Sequence, residues 1–475
     1  MNSNSVRFQP LYRQIRDVLY KRIVDGYYRP GVPLPAEPRL AKEFNTSIAP
    51  IRQAVSALEA DGILKKRQGK GTFLAEKKTT LSMVTYLSAY PAVLDKVNGL
   101  LREFERENPL VEINHISVTP AEARDYILSL ITNGNSPDVI QLMMFLTSHF
   151  AAMGALEPLD TLLDNSTRLL SQTDELHDGI YLNKRYSVPW GLRPFTHFAN
   201  KSILRECDIQ LGPDPITLDE FAGLCRIVDE RYKGDPTVYS YGLGITGGYS
   251  DFLSIYVYLQ AFGGGFINTR DEIIFNSKEN VAAFSWLREF IASSRVLISQ
   301  IDPGRLAFAQ GKVAFKTEGP YLKYTIEEVT GQPFDENFQV FLNPVLEKSH
   351  PSRSWNNNIA FAISSQSENK LYAARLVDFL TRDSRLHGIY TMTGDLPISE
   401  DSLSLPEFQN GFYSVYRKQR EHSSVVNAHH YLFEQAMDLC SDSVRRILFS
   451  DIEIAKELDE KEYYLNILYR NKKFI

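Results

Sequence analysis

The hydrophobic pattern at the start of the chain has a helical period in three places. Across residues 11–25, apolar side chains recur every three or four positions, which predicts an amphipathic helix. The same spacing predicts a second helix over residues 37–44. A third helix is expected to begin after a tight turn at 45–47 and to end before Gly62.

Two short runs of β-prone residues follow these helices. Residues 63–67 and 72–75 are predicted to form two strands, joined by Gln-Gly-Lys-Gly at 68–71. The two glycines of this hairpin tip have no side chain, so the backbone of the tip can approach another molecule closely. Ser47 is expected to cap the third helix by accepting a backbone N–H bond.

From residue 79 onward, strand patterns alternate with helix patterns. Residues 81–87, 111–116 and 138–142 are predicted strands, with amphipathic helices at 92–107 and 121–132 between them. This alternation implies an α/β fold with parallel sheets and helices on both faces, and ligands of such sheets bind outside the carboxyl ends of the strands. The 397 residues of this body exceed the size of one core, so at least two lobes are expected.

The charge distribution divides the chain at the same place. Residues 1–78 carry 15 Lys and Arg against 7 Asp and Glu, a net charge of +8, whereas the remaining residues carry 37 against 51, a net charge of −14. A basic segment on an acidic body is expected when only the basic segment meets a polyanion.

Several signals of other protein classes are missing from the sequence. The N-terminal residues lack the apolar core of a secretion signal, and no run of 18 apolar residues predicts a membrane span. Cys207, Cys225 and Cys440 are far apart and odd in number, which favours reduced thiols. A cytoplasmic location is therefore predicted. No metal site is expected, because the His429-His430 pair lacks a second spaced pair.

The first 78 residues resemble the GntR family of winged helix-turn-helix regulators. The resemblance rests on PLYRQI, LPAEPRLAKEF, APIRQAVSALEADGIL and RQGKGTF, which occur in that order over about 65 residues. It implies a DNA-binding domain over residues 1–78 whose third helix enters the major groove with its N-terminus first. The residues expected at the DNA are Arg39, Thr46, Ser47, Ile48, Ala49, Arg52, Gln68, Gly69 and Lys70.

Some positions depart from the residues usual in that family. Pro38 and Ile48 stand where Arg is usual, and Arg39 is the candidate to replace the first of these arginines. Losing an Arg that binds guanine bidentately costs about 1–3 kcal/mol of discrimination, whereas Ile48 and Ala49 can contact thymine methyl groups. We therefore predict an operator that depends less on guanine. Ala36 stands where Ser often caps the second helix, at a cost of about 1 kcal/mol.

The body resembles family 1 extracellular solute-binding proteins of the sugar-binding type. The ordered landmarks include SPDVIQL at 136–142, GALEPLD at 154–160, YSVPWGLRPFTHFANKSIL at 186–204, FAQGKVAFKTEGPYL at 308–322 and WNNNIAFAIS at 355–364. The resemblance implies a two-lobed periplasmic-binding-protein-like α/β domain, type II-like, over residues 79–475. Its lobe one would comprise about 81–190 and 340–385, and its lobe two about 195–338 and 386–475. The cleft between them would bind the ligand and close by a hinge motion.

A sugar site needs aromatic platforms for apolar C–H faces and fixed hydrogen-bonding groups for hydroxyl edges. Candidates in predicted loops at strand ends or lobe crossings are Tyr90, Trp190, Arg193, Tyr249, Tyr321, Trp355 and Asn356. The alternative for each of these residues is that its side chain packs against other protein groups and does not contact a ligand. Trp286 lies inside a predicted helix and is expected in the core instead.

The two resemblances together imply a transcriptional regulator that is not an enzyme and needs no cofactor. It would bind a pseudo-palindromic operator as a homodimer, and a small solute in the cleft, a sugar or oligosaccharide, would control this binding. One alternative is a GntR head on an aminotransferase-type body with pyridoxal phosphate, although no convincing Schiff-base lysine motif is found. Another is a cytoplasmic solute-binding protein with a vestigial DNA-binding head.

Overall fold

A helical N-terminal head precedes two sheets flanked by helices. The computed structural model describes residues 10–75, 78–163, 179–268, 270, 272–423 and 431–470. The mixed α/β architecture and the two separate five-stranded sheets, consistent with two lobes, confirm the predicted fold class.

The head is built around the contact between its first and third helices. Its elements are α1 (Leu11–Val24), α2 (Glu37–Glu43), α3 (Ile48–Ala60), β1 (Leu64–Arg67) and β2 (Gly71–Leu74). Leu19 of α1 and Ile51 of α3 are fully buried in its core. The strands β1 and β2 pair antiparallel to form the predicted wing.

The predicted capping bond of Ser47 is wrong. Ser47 precedes α3 with an extended backbone, but its side chain makes no capping hydrogen bond. The residue is exposed. Water can therefore reach both its hydroxyl and the first N–H groups of the helix, and the cap is not needed to satisfy them.

The body contains strands and helices in alternation. Its strands are β3 (Thr79–Thr85), β4 (Val111–Ser117), β5 (Val139–Met143), β6 (Ile180–Tyr181), β7 (Lys184–Arg185), β8 (Ser187–Gly191), β9 (Thr196–Asn200), β10 (Tyr239–Gly244), β11 (Val296–Ser299), β12 (Val313–Glu318), β13 (Phe338–Phe341) and β14 (Ile359–Ile363). Its helices are α4 (Pro91–Glu107), α5 (Pro120–Thr132), α6 (Thr147–Ala152), α7 (Lys201–Glu206), α8 (Leu218–Arg231), α9 (Asp251–Ala261), α10 (Lys278–Ser293), α11 (Ile301–Ala309), α12 (Leu322–Thr330), α13 (Phe334–Asn337), α14 (Lys370–Leu380), α15 (Asp383–Thr393), α16 (Glu400–Leu403), α17 (Gly411–Arg420), α18 (Phe433–Phe449) and α19 (Ile454–Arg470).

Each large sheet combines a parallel part with strands that cross between the lobes. The first sheet, in lobe one, has the order β4-β3-β5-β14-β8, and the second, in lobe two, has the order β11-β10-β12-β9-β13. Neighbours among β3, β4 and β5 are parallel, as are β10, β11 and β12.

The expectation of parallel sheets is wrong for one strand in each sheet. The strand β14 runs antiparallel to β5 and β8, and β9 runs antiparallel to β12 and β13. Each of the two enters its sheet from the other lobe. It therefore lacks the crossover helix on its own sheet that a parallel connection requires.

The head rests on lobe one through the exposed side of α1. The ring of Tyr20 lies edge-on against Tyr372 of α14, with centroids 6.0 Å apart. Val24 is buried with the core of lobe one, and Leu110 packs in return against the core of the head. The orientation of the head is therefore coupled to lobe one.

The helices α18 and α19 pack with α10 on lobe two. Ile447, Leu458 and Leu465 are buried in the same core as α10. Across the described residues, no helix is long and apolar enough to cross a membrane. The same part of the chain contains no cluster of His, Cys, Asp and Glu that could hold a metal ion.

Candidate DNA-binding surface and ligand-binding cleft

The residues predicted to contact DNA lie on α2, around the start of α3 and at the tip of the wing. Thr46 is half-buried and the other eight are exposed: Arg39, Ser47, Ile48, Ala49, Arg52, Gln68, Gly69 and Lys70. A surface groove lined by Glu37, Val55 and Lys70 shows that α2, α3 and the wing meet at one surface. Gly69 has a φ of 70°, a left-handed conformation that glycine adopts without strain.

The Arg52 side chain is oriented by a neighbour on α2. Its Nε donates to Oε2 of Glu37 over 2.9 Å, and the side chain stays 65% exposed. The ion pair itself adds little stability, because both charges are close to water. The two terminal nitrogens of the guanidinium have no hydrogen bond within the described residues, and their contact with a base edge stays a prediction.

Ile48 occupies the first position of α3 and is 39% exposed. An exposed apolar side chain at the end of a recognition helix fits a thymine methyl group better than it fits guanine. The wing adds positive charge to the head, because Lys65 and Lys70 are exposed and Lys66, also exposed, pairs with Glu59.

Three predicted ligand residues come together between the lobes in what we call the Arg-Tyr cluster, made of Tyr90, Arg193, Arg305, Glu318, Tyr321, Tyr324 and Asp395. The guanidinium of Arg193 lies 5.2 Å from the ring centroid of Tyr321, and that of Arg305 lies 4.9 Å from the same centroid. Tyr90, at the start of α4, packs edge-on against Tyr324 of α12 with centroids 5.4 Å apart. Residues from both lobes and from the crossing segment thus meet here.

Two buried ion pairs organise the Arg-Tyr cluster. Arg193 and Asp395 form a bidentate pair, with Nε–Oδ1 and Nη2–Oδ2 distances of 2.8 and 2.6 Å. Burial alone would lower the pKa of Arg193, but the carboxylate of Asp395 outweighs it and the pKa is raised. Arg305 pairs with Glu318 over 3.0 Å. Burial raises the pKa of Glu318, yet the nearby cations, with Arg305 first, bring it below its usual value.

The ring of Tyr321 is already engaged by protein groups. Two guanidinium groups lie over it, and its hydroxyl donates to Oε1 of Glu318 over 2.9 Å. Its proposed stacking on a sugar stays a prediction.

Two further predicted residues, Tyr249 and Trp355, lie in what we call the aromatic cluster, which is formed by Phe145, Phe195, Tyr249, Tyr256 and Trp355. Trp355 stacks on Phe195 with centroids 5.2 Å apart and lies 6.2 Å from Phe145. Phe145 follows β5 of lobe one and lies 5.8 Å from Tyr249 of lobe two. The cluster therefore bridges the lobes. Asn356 follows Trp355 and pairs with Pro194, beside Arg193.

Trp190 joins neither cluster. It lies on β8 and packs against Phe361 of the adjacent strand, with centroids 5.6 Å apart, inside the core of lobe one. Its contact with a ligand stays a prediction. Trp286, expected in the core, is half-buried and stacks on Tyr258 and Phe290 of lobe two.

The sequence prediction missed several polar residues between the two clusters. Tyr86 follows β3, and Gln141 lies in the middle of β5. Asn357 and Asn358 precede β14 at the edge of the sheet where β5 ends. The backbone N–H of Tyr86 donates to Oε1 of Gln141, and that of Arg193 donates to Oδ1 of Asn358. Two signals could have found them: a glutamine inside the apolar strand VIQLM and three consecutive asparagines before IAFAI.

Buried polar atoms without a hydrogen-bond partner concentrate at this edge. Within the described residues, such atoms include Tyr86 Oη, Gln141 Nε2, Trp355 Nε1, Asn356 Oδ1, Asn357 Oδ1 and Asn358 Nδ2. Unpaired buried polar groups are uncommon in native proteins, and each costs about 1–3 kcal/mol. A small pocket lined by Tyr86, Gln141 and Tyr249 opens beside them.

An ion pair closes the cleft near that pocket. Arg124 of α5, in lobe one, pairs with Glu434 and with Asp438 of α18, in lobe two. Its Nη1–Oδ2 distance to Asp438 is 2.7 Å. The guanidinium also lies 5.7 Å from the ring centroid of Tyr249.

The chain matches two family models in the order predicted. Residues 11–74 match the bacterial regulatory proteins of the gntR family, and residues 99–411 match the bacterial extracellular solute-binding proteins. One family is regulatory and the other binds solutes, and neither is enzymatic.

Two curated relatives match over a length close to that of the head. The "Probable fructoselysine utilization operon transcriptional repressor" of Escherichia coli (strain K12) is 40% identical over 77 residues, which are 16% of this chain and 32% of the relative. The HTH-type transcriptional repressor NagR of Bacillus subtilis (strain 168) is 38% identical over 78 residues, with the same coverage. The chain thus spans about a third of the length of these relatives.

Solved structures match the body. The GacH receptor of Streptomyces glaucescens GLA.O, solved unliganded and with acarbose, has a TM-score of 0.72 at 18% identity and covers 83% of this chain and 99% of its own. A solute-binding protein of Thermotoga lettingae TMO, bound with alpha-D-tagatose, has a TM-score of 0.69 at 18% identity and covers 82% and 99%. The family model covers most of the chain. The protein therefore belongs to the bacterial extracellular solute-binding protein family and carries a GntR-family regulatory domain at its N-terminus.

Proposed function

We propose that this protein is a transcriptional regulator whose binding to operator DNA is controlled by a saccharide in the cleft between its lobes. The observation that carries the proposal is the group of buried, unpaired polar atoms at the strand ends, placed beside aromatic rings in a chain that also has an exposed DNA-binding surface. The proposal joins the two family matches in one mechanism, in which the solute-binding body controls DNA binding by the regulatory head.

The polar atoms fit a neutral, hydroxyl-bearing solute. They include donors, such as Gln141 Nε2 and Asn358 Nδ2, and acceptors, such as Asn357 Oδ1. A sugar hydroxyl can serve both kinds because it donates and accepts. The charged groups nearby are already paired with each other, as in Arg193 with Asp395. The rings of Trp355 and Tyr249 supply apolar surface next to these atoms. GacH and the Thermotoga protein, which share the fold, bind acarbose and tagatose.

Control of the head follows from where it is attached. Tyr20 and Val24 fix the head to lobe one, whereas Arg124 joins lobe one to α18 of lobe two. A solute that contacts both lobes binds the closed arrangement more tightly than the open one. It therefore shifts the population toward closure and alters the placement of the head relative to lobe two.

DNA binding would involve two heads on a pseudo-palindromic site, because one recognition helix reads a short half-site. The basic wing and Arg52 would contact phosphate and base edges, so binding should weaken steeply as salt rises. The curated repressors NagR and the fructoselysine repressor, which match the head, are the basis for proposing repression.

The test pairs ligand binding with DNA binding on the full-length protein. A thermal-shift screen of mono- and oligosaccharides should find a ligand that stabilises by about 2.7 kcal/mol at 100 times its dissociation constant. Fluorescence anisotropy with DNA from the protein's own upstream region should then give a different affinity with and without that ligand.

A matched pair of variants locates the site. Gln141→Ala should abolish or strongly weaken the thermal shift, whereas Gln310→Ala, at an exposed position on the end of α11, should leave it unchanged. A saccharide that stabilises the protein without changing its DNA affinity would contradict ligand control. No salt-sensitive DNA binding at all would support a solute-binding protein with a vestigial head.

A further inference from the structure

The loop that carries Tyr249 is held in place by two carboxylates. We call residues 246–250, between β10 and α9, the Tyr249 loop. At its base, Oδ1 of the fully buried Asp251 accepts from two backbone N–H groups of the loop, both over 2.7 Å. At its tip, Oδ1 of Asp438 accepts from the backbone N–H of Tyr249 over 2.7 Å. Because Asp438 belongs to α18, this helix sets the position of the loop tip.

Two consecutive glycines allow the loop to lie against Asp438. Gly247 and Gly248 have φ angles of 96° and 71°, in the left-handed region that residues with a side chain rarely adopt. A Cβ atom on Gly248 would also lie 3.3 Å from Oδ1 of Asp438, which is closer than an ordinary contact. A larger residue at this position would therefore press on the oxygen that binds the Tyr249 amide.

The second oxygen of Asp438 faces the other lobe. Oδ2 accepts from Nη1 of Arg124 over 2.7 Å, and Glu434 accepts from the same nitrogen. Glu434 and Asp438 are four residues apart on α18, so two like charges lie on one face of this helix, and Arg124 relieves their repulsion. Nε of Arg124 donates to Asp125 of its own lobe over 3.0 Å. When the lobes separate, Arg124 therefore keeps one partner, whereas both carboxylates of α18 lose their only ion-pair partner among the described residues.

Arg124 and Tyr249 both line the small pocket beside the unpaired polar atoms. The guanidinium of Arg124 lies 5.7 Å from the centroid of the Tyr249 ring, and that ring lies 5.8 Å from the ring of Phe145. Separation of the lobes removes both contacts, because Arg124 and Phe145 belong to lobe one and Tyr249 belongs to lobe two. The wall that Tyr249 supplies to the pocket is therefore complete only in the closed arrangement.

We propose that Asp438 is a positioning residue for ligand binding, which holds Tyr249 at the pocket and, through Arg124, ties this position to closure of the lobes. The ligand class, a saccharide, rests on the proposed function, whereas the coupling of Tyr249 to closure does not. Arg124 and Asp438 are 28% and 35% exposed, so salt reaches the pair. Closure around even a neutral solute should therefore weaken as the ionic strength rises.

The first test measures positioning by hydrogen–deuterium exchange of the full-length protein, without saccharide or DNA. Asp438→Ala removes the acceptor of the Tyr249 amide and should speed exchange of that amide by at least about 10-fold. The amides of Thr246 and Gly247, at the base of the loop, should change by less than about 2-fold. The matched control is Asp442→Ala, at an exposed position one turn further along α18, which should leave all three amides unchanged. Equal acceleration of the three amides in Asp438→Ala, or none at Tyr249, would overturn the proposal.

The second test measures coupling to closure by small-angle X-ray scattering, again without ligand. The radius of gyration of the wild type should grow between about 0.1 M and about 1 M salt, where the screening length falls from about 10 Å to about 3 Å. Arg124→Gln should be expanded at low salt and should not respond to salt, whereas Arg124→Lys, which keeps the charge, should retain the response. Arg102→Gln, exposed on α4 of the same lobe, should behave as the wild type. A wild-type radius that does not depend on salt would contradict the coupling without reference to any variant.

The third test separates this proposal from the proposed function. Mono- and oligosaccharides are added one by one to the wild type, Arg124→Gln and Arg102→Gln in a thermal-shift assay. A saccharide that binds the wild type should bind Arg124→Gln about 5- to 150-fold more weakly, the usual range for coupling between sites, and should bind Arg102→Gln as it binds the wild type. Equal affinity of the wild type and Arg124→Gln would refute the coupling and leave saccharide control intact. If no saccharide binds the wild type while the exchange and scattering results hold, the coupling stands and the proposed function falls.

Discussion

The head and the cleft hold their candidate functional side chains in opposite environments. In the head, Ile48 and Arg52 project into solvent, and the single ion pair of Arg52 comes from a residue 15 positions away. In the cleft, Arg193 is buried, and its partner Asp395 lies 202 positions away in the sequence. A head side chain can therefore be changed with little effect on folding, whereas the same change in the cleft removes part of the structure that holds the lobes together.

The largest expected effect is that of breaking the buried pair in the cleft. Asp395→Ala leaves the guanidinium of Arg193 buried without its carboxylate, and we expect it to lower the free energy of unfolding by about 3–5 kcal/mol. Chemical denaturation followed by tryptophan fluorescence measures this. The control Asp302→Ala removes an exposed partner of Arg305 and should cost less than about 0.5 kcal/mol. If both variants lost the same small amount of unfolding free energy, the buried pair would contribute no more to stability than the exposed one.

A second buried group makes the body sensitive to pH. His197 of β9 is fully buried, with Nδ1 2.8 Å from Asn343 and Nε2 2.9 Å from the hydroxyl of Tyr258. Burial lowers its pKa to about 4, against a hydrogen bond to Oδ1 of Asn343 that raises it. In the unfolded chain the pKa of this histidine is near 6.5, so the unfolded chain binds a proton at pH values at which His197 of the folded chain is still neutral. The contribution of His197 to the free energy of unfolding therefore falls as the pH drops from 6.5 to 4.

The expected loss over that range is about 3 kcal/mol, to which other titrating groups add their own changes. Thermal unfolding at several pH values should therefore show a steeper loss in the wild type than in His197→Gln, which cannot take up the proton. His422→Gln, outside this network, should keep the wild-type slope. If the melting temperatures of the wild type and of His197→Gln fell equally with pH, His197 would not be the group that makes the stability of the body depend on pH.

In the head, the same kind of change should act on binding and leave folding intact. Arg52→Ala should lower affinity for the cognate operator by about 1–3 kcal/mol, or roughly 5- to 150-fold, while the free energy of unfolding changes by less than about 0.5 kcal/mol. Anisotropy titrations against the cognate site and a site with one changed base pair measure the effect. Arg205→Ala, exposed on α7 of the body, is the control. An equal loss on every DNA sequence would assign Arg52 to phosphate rather than to a base.

This contrast also explains how far the sequence could predict the molecule. The head follows from local patterns, because its helices, its wing and its exposed side chains are determined by residues close in sequence. The fold class of the body followed from ordered landmarks. The antiparallel strands β9 and β14 did not, because their direction depends on which lobe the chain arrives from.

The cleft was predicted less completely for the same reason. The position of Tyr90 after a predicted strand, and the resemblance to solute-binding proteins at Arg193 and Tyr321, identified three residues that the structure brings together. These sequence signals could not indicate that two guanidinium groups cover Tyr321, since Arg305 reaches it only in the folded chain. They also passed over Gln141, whose unpaired nitrogen becomes notable only once burial is known.

The smallest expected effect tests helix capping in the head. Ala36 precedes α2 and makes no side-chain cap, while the N–H of Arg39 lies at the position that a capping hydroxyl reaches. Ala36→Ser should stabilise the head by about 1 kcal/mol.

The matched variant is Ser47→Ala at the start of α3. Since Ser47 makes no capping bond, it should cost less than about 0.5 kcal/mol instead of the usual 1. Hydrogen exchange of the α2 and α3 amides resolves both changes, because it reports local opening of the head separately from unfolding of the body. A loss near 1 kcal/mol in Ser47→Ala would mean that its hydroxyl does cap α3 in solution, and the exposed end of the recognition helix would then depend on a local bond after all.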